Sequence, residues 1–367
     1  MQKLLFILSI VILGCNYVIA QDLIAVEHSA GGSEFFTRLD SALVHSSNGD
    51  FIYLPGTPGI NVGNIILYKG VNIIGAGINP DSCLATGITT LSGNLVIVSG
   101  ADNGSLQGIY FTGNISFGTT HNDQHVSNFM ISRCNFGNLN LSYNGTDTTT
   151  SMFLIRECIL RGTVNGGYSN AVFRNNIFNQ QLNYFTGASF FNNIFLYGSG
   201  NTINLYVRNT NFSNNILKNE CLAYFGMSCA TLYSFDNNYY NNIIPGEAHF
   251  YGGICGQVGL GCNPFVWYPF NGNGIWSGNL EYVPGDNIYI NQSGNIYNYH
   301  HNYHLKSTSP GKNAGTDGTD IGIYGGSEPF KDGSMPINPH IQYKNVAGWT
   351  NPDGTLDIHF KVAAQDQ

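Results

Sequence analysis

A short motif returns six times along the middle of the chain: Ile131-Ser-Arg-Cys-Asn-Phe136, Ile155-Arg-Glu-Cys-Ile159, Phe173-Arg-Asn-Asn-Ile177, Phe190-Phe-Asn-Asn-Ile194, Phe212-Ser-Asn-Asn-Ile216 and Phe235-Asp-Asn-Asn-Tyr239. Aligned, these put Cys134, Glu157, Asn175, Asn192, Asn214 and Asn237 in one column, with steps of 17 to 23 residues. Asn135, Cys158, Asn176, Asn193, Asn215 and Asn238 form the next column. A period of this length holds three short strands and their turns, which is one coil of a parallel β-helix. Strands of neighbouring coils pair about 4.8 Å apart, so equivalent residues stack. The apolar flanks of each Asn pair, such as Phe173 and Ile177, then point inward. The asparagines suit a tight corner, since Asn tolerates the left-handed conformation and its amide can bond to the coils above and below.

Composition agrees. Only 10% of the residues are charged, against the roughly 25% usual for soluble domains, and 46 Gly accompany 22 Tyr and 23 Phe. An amphipathic helical protein needs a charged face that this chain does not have. The net charge of −8 with only 14 Lys and Arg argues against nucleic acid or an anionic membrane as a partner.

Residues 1–20 have the layout of a secretory signal peptide. A basic start precedes the apolar run Leu4 to Gly14, and Val18-Ile19-Ala20 forms a small-residue cleavage site. The competing reading is the lipobox-like Ile12-Leu13-Gly14-Cys15, in which Cys15 carries a lipid anchor. Both readings take the protein out of the cytoplasm, to a secreted or cell-surface location. No later apolar stretch reaches the roughly 20 residues of a spanning helix. Export permits disulfides. Cys221 with Cys229 and Cys255 with Cys262 are expected as loop staples, and zinc is the alternative, although both spacings are wider than usual for its ligands. Seven cysteines follow the Ala20 cleavage site, an odd number, so at least one thiol stays unpaired, and Cys83, Cys134 or Cys158 is expected in that role as a small buried hydrophobe.

The chain resembles the pectin-lyase-like right-handed parallel β-helix proteins found among bacterial secreted proteins. Glu34 to Val44, with Ser33 as N-cap, is similar to their N-terminal capping helix. Asn48 to Gly56 and Val71 to Gly75 resemble their entry strands, and Asn263 to Val266, Tyr303 to Gly315 and Thr319 to Gly326 resemble their closing segment. The resemblance implies an all-β, single-stranded helix over residues 21–335. Residues 336–367 read as a strand-turn-strand tail around Asn351-Pro-Asp-Gly354, with Leu356, Ile358, Phe360 and Val362 on one face. This hairpin is expected to cover the last coil or the side of the helix.

The class includes lyases, hydrolases, esterases and adhesins, so function must come from particular residues. Arg133, Arg156 and Arg174 precede the Asn pair in successive coils. As an outward strip they would bind an acidic polysaccharide, and the plainer reading is that their stems pack on the sheet and their heads pair with Glu157 and loop acids. Asp102, Asp123 and Asp147 recur at coil spacing. The resemblance implies that lyases of this class bind Ca²⁺ through acids on adjacent coils and use Arg or Lys as base, while hydrolases use grouped Asp; neither motif is complete here, and Asp before a strand is an ordinary turn residue. Tyr299-His-His-Asn-Tyr-His304 invites a metal, but strand geometry splits its histidines between two faces. The sequence therefore favours an exported, non-catalytic protein that binds glycans or envelope components through an aromatic, Asn-rich outer face. The alternative is a polysaccharide lyase or glycoside hydrolase acting on an acidic polysaccharide.

Overall fold

The structure is a computed structural model, and it describes residues 23–363 except 58, 146–151, 197–206, 218–220, 224–233, 236–237, 244–248, 251–274, 282 and 338. The chain winds into a parallel β-solenoid of about seven turns. One face is a twelve-stranded sheet that runs through Phe51–Tyr53, Asn72–Ile74, Ser105–Gln107, Phe129–Ser132, Phe153–Arg156, Val172–Arg174, Ser189–Phe191, Asn211–Ser213 and Asn238–Tyr240 to Trp276–Ser277. Its central column points inward. Ile52, Ile73, Leu106, Ile131, Ile155, Phe173, Phe190 and Phe212 are paired in register and fully buried. The rings of Phe173, Phe190 and Phe212 stack with planes 5° apart and centroids 4.7 and 5.0 Å apart.

The other two faces diverge from one long strand. Thr90–Ile97 pairs along its whole length with Ile60–Leu67 on one side. On the other side its first residues pair with Tyr110–Phe111 and its last with Ile115–Phe117, so the later coils turn a corner at Gly113. A Cβ at Gly113 would lie 2.3 Å from the Gly93 carbonyl oxygen, which leaves room only for glycine.

The expected N-terminal helix is shorter than its pattern suggests. Ser33–Phe36 is a strand, antiparallel to Ile24–Glu27, which in turn adds antiparallel to the first coil. The helix occupies only Leu39–His45, with Arg38 rather than Ser33 at its N-cap, and buries Leu39, Ala42 and Leu43. The physical reason is the turn at Gly31 and Gly32, whose φ of 96° and 94° folds the chain back so that Ser33–Phe36 pairs with Ile24–Glu27.

The end of the chain also departs from stacked coils. Residues 283–336 return along the outside of the solenoid. Val283, Ile288, Tyr303, Leu305, Ile321, Ile323 and Phe330 cover the outward column Ile177, Ile194, Ile216 and Ile243 of the second face. The tail forms the expected hairpin, His340–Val346 with Ile358–Ala363. Because the preceding segment has run back, the hairpin lies beside Asp81, Ser82 and Leu84, near the start of the solenoid rather than over its last coil.

Candidate functional site

Asparagines recur in several columns, and the one at the first corner is shut off from solvent. At the first corner Asn176, Asn193, Asn215 and Asn242 are fully buried. Asn193 makes four bonds. Its Oδ1 accepts from the backbone N–H and the amide of Asn176 at 2.9 and 3.0 Å, and its Nδ2 donates to Phe173 O at 3.1 Å and Asn215 Oδ1 at 3.0 Å. This uses all the capacity of an amide, which makes the ladder a structural element. Cys134 and Cys158 take the same position in the two preceding coils. The Cys134 backbone N–H points to Cys158 Sγ at 3.5 Å, and that of Cys158 donates to Asn176 Oδ1 at 2.9 Å. Both thiols are free and buried, as is Cys83, and burial pushes Cys134 up to about 12.

The third face carries another set. A column outside the sheet contains Ser116, Asn140, Asn165 and Asn183. Asn165 donates to Asn140 at 2.8 Å and Asn183 to Asn165 at 3.0 Å. Tyr143, three residues after Asn140 as Tyr168 is after Asn165, is 42% exposed. Tyr168 and Tyr184 are half-buried, with rings edge to face at 6.1 Å. Both adopt left-handed backbone, φ 51° and 59°, and Tyr168 N–H donates to Tyr184 O at 2.7 Å. Burial raises the Tyr168 hydroxyl pKa, Arg208 opposes this, and Tyr184 adds to it. The face thus combines ordered amides with aromatic rings at the spacing of parallel strands. A repeat of Gly-Asn pairs, Gly63-Asn64, Gly93-Asn94, Gly113-Asn114 and Gly137-Asn138, marks the corner that leads into this face. That signal was available in the sequence but is less conspicuous than the Asn-Asn repeat.

The arginine strip needs correction. Hydrogen-bonded register pairs Ile131 with Ile155 and Ser132 with Arg156, and then Arg156 with Arg174. Arg133 therefore stacks with Glu157, not with Arg156. It is 3% exposed, its Nε lies 2.8 Å from Glu157 Oε2, and its Nη1 donates to Met335 O at 2.6 Å. Arg156 pairs with Glu328 at 2.9 Å. Arg174 alone of the three is exposed, over the Phe191 ring at 5.5 Å. The correct corner column is Arg133, Glu157, Asn175, Asn192 and Asn214, all left-handed with φ between 50° and 59°. Its Asn side chains hold the returning segment: Asn175 donates to Ile323 O and Gly325 O, and Asn192 to Gly322 O.

The acidic residues are turn elements where they are described. Asp102 Oδ1 accepts from Ser127 N–H at 2.7 Å. Asp123 closes the Thr119-Thr120 turn. Burial works to raise its pKa, but bonds from both threonines outweigh this and lower it. Asp147 lies outside the described residues, as do Cys229, Cys255 and Cys262 and the side chain of Cys221. Of the histidines, His304 stacks on Tyr324 at 3.6 Å, and His300 faces Asp81 at 3.8 Å. Among the described residues no group of three or more His, Cys, Asp or Glu is placed to hold a metal ion, and no helix is long and apolar enough to cross a membrane. No family model and no curated protein matches the chain.

Proposed function

We propose that this is an exported, non-catalytic β-helix protein that binds glycans or other cell-envelope components along its third face. It is released after signal-peptide removal at Ala20 or held by a lipid on Cys15, with Cys221–Cys229 and Cys255–Cys262 as loop disulfides. The observation that supports the reading is the hydrogen-bonded row Asn140, Asn165 and Asn183 together with the edge-to-face rings Tyr168 and Tyr184 of the same coils. Amides match sugar hydroxyls as both donors and acceptors, and tyrosine rings offer apolar faces to the carbon side of a pyranose. The row runs along the solenoid axis, so a chain of repeating units meets a repeating set of groups. Arg174 adds a single exposed cation on a different face, since Arg133 is buried and Arg156 is paired with Glu328.

The test is a glycan array probed with wild type, Tyr168→Ala/Tyr184→Ala and Arg174→Gln, beside assays for unsaturated and reducing-end products. Binding lost in the tyrosine variant and kept in Arg174→Gln supports the reading. Product release that Asp102→Asn or Asp123→Asn abolishes would replace it with a lyase or hydrolase acting on an acidic polysaccharide, with Ca²⁺ as the implied cofactor.

A further inference from the structure

The tail hairpin is docked inside out. Strand register places Val346, Ile358, Lys344, Phe360 and Val362 on one face, and Asn345, His359, Tyr343, Lys361 and His340 on the other. The second, polar set supplies His340, Tyr343 and Lys361 to a cleft of about 460 Å³ whose far wall includes Asp81, Ser82, Leu84 and Asp332 of the body. The hairpin thus turns the side that carries Lys361 toward two carboxylates, and its largely apolar side, which also carries Lys344, to solvent. Ile358, Phe360, Val362 and Val346 are 54%, 65%, 50% and 46% exposed. At the turn end Trp349 is 82% and Leu356 42% exposed. A segment that merely covered its own solenoid would have the opposite orientation. A free two-stranded hairpin is also marginal in water unless a face is packed or a strand is added.

The geometry points to a second copy of this chain as the occupant of that face, packed hairpin on hairpin about a two-fold axis. The exposed apolar residues offer roughly 600 Å² per copy, so the pair buries roughly 1,200 Å², at the lower bound of specific interfaces. Two twisted two-stranded faces pack as a small sandwich, and a two-fold requires only that one patch complement itself. Charge singles out this region. Residues 336–367 carry two lysines, Lys344 and Lys361, against three aspartates, Asp353, Asp357 and Asp366, so the tail has a net charge of only −1 in a chain of net charge −8. Copies therefore meet at the tail with little of the mutual repulsion that the acidic body imposes elsewhere. The same geometry presents two glycan-binding faces from one particle, which would raise avidity on a repetitive surface.

Sedimentation velocity on the full exported chain tests this. We expect a concentration-dependent dimer across the micromolar range, which Ile358→Ser/Phe360→Ser weakens at least ~100-fold. His359→Ser, on the opposite face, should leave it intact. The melting temperature of the double variant should match wild type, because neither residue belongs to the solenoid core. A strictly monomeric wild type, or a dimer that survives the double substitution, overturns the proposal. So does a monomer whose apolar face instead associates with phospholipid vesicles. Glycan binding by a monomeric wild type would sink the dimer without touching the functional reading.

Discussion

Asn193→Ala should be among the most damaging substitutions of a polar residue in this protein. Removing the amide leaves the Asn176 backbone N–H and one Asn176 amide N–H without an acceptor, in a site with no solvent access. Each orphaned buried group costs about 1–3 kcal/mol, so the two donors alone cost about 4 kcal/mol. With an unfolding entropy of roughly 2.1 cal/mol/K per residue, that lowers the melting temperature by about 5 °C for a chain of this size. Asn193→Asp separates the hydrogen-bond argument from simple loss of volume. The carboxylate still accepts both Asn176 donors, but its second oxygen faces Asn215 Oδ1 and Phe173 O, both acceptors. Only the protonated acid can donate there, so its folded-state pKa rises above the unfolded value of about 3.9. The sign follows: the penalty grows as pH rises through about 4 and shrinks again in acid. Thermal denaturation of both variants between pH 4 and 8 reads this out. An Asn193→Ala cost under about 1 kcal/mol, or an Asp variant whose deficit ignores pH, would refute the claim that the ladder's bonds rather than its shape stabilise the corner.

Phe190 sits between Phe173 and Phe212 in the ring stack, so Phe190→Ala should cost about 3–5 kcal/mol by denaturant unfolding. Its neighbour Phe191 points outward, and Phe191→Ala should cost under about 1 kcal/mol. Glu157→Gln leaves the Arg133 guanidinium buried without its counter-charge and should destabilise by about 3–5 kcal/mol, whereas replacing both partners by apolar residues of similar volume should recover much of the loss. Asp50 is buried, which raises its pKa, but bonds from Ser29 N–H and Ser47 N–H and from His28 hold it at about 2. Because the folded value is depressed, its contribution is present above about pH 4 and disappears as pH falls toward 2. Wild type and Asp50→Asn should therefore differ in melting temperature at pH 7 and converge in acid.

The repeated motif was enough to determine the solenoid, because a period near 20 residues with stacked apolar flanks has few other solutions. The entry strands and the tail hairpin were equally legible, since each follows from local pattern, and of the cysteines the odd count required one unpaired thiol where Cys83, Cys134 and Cys158 are all free and buried. What the sequence could not supply was register. Its alignment placed Cys134 beside Glu157, whereas backbone pairing puts Cys134 beside Cys158 and Arg133 beside Glu157. In the last coil it took Asn238, while the ladder continues through Asn242, four residues further on in a run with two Asn pairs. Successive ladder positions are separated by as few as 17 and as many as 37 residues, so motif spacing alone cannot decide which residues stack. A one-residue slip also exchanges inside for outside in a strand. That slip made an arginine strip out of one buried, one paired and one exposed side chain. The return of residues 283–336 over the second face, and with it the reversed orientation of the hairpin, depends on contacts between segments more than a hundred residues apart, such as Asn175 with Ile323. Such contacts leave no local period, because their free energy arises only once the coils are stacked and the corner side chains stand in a row.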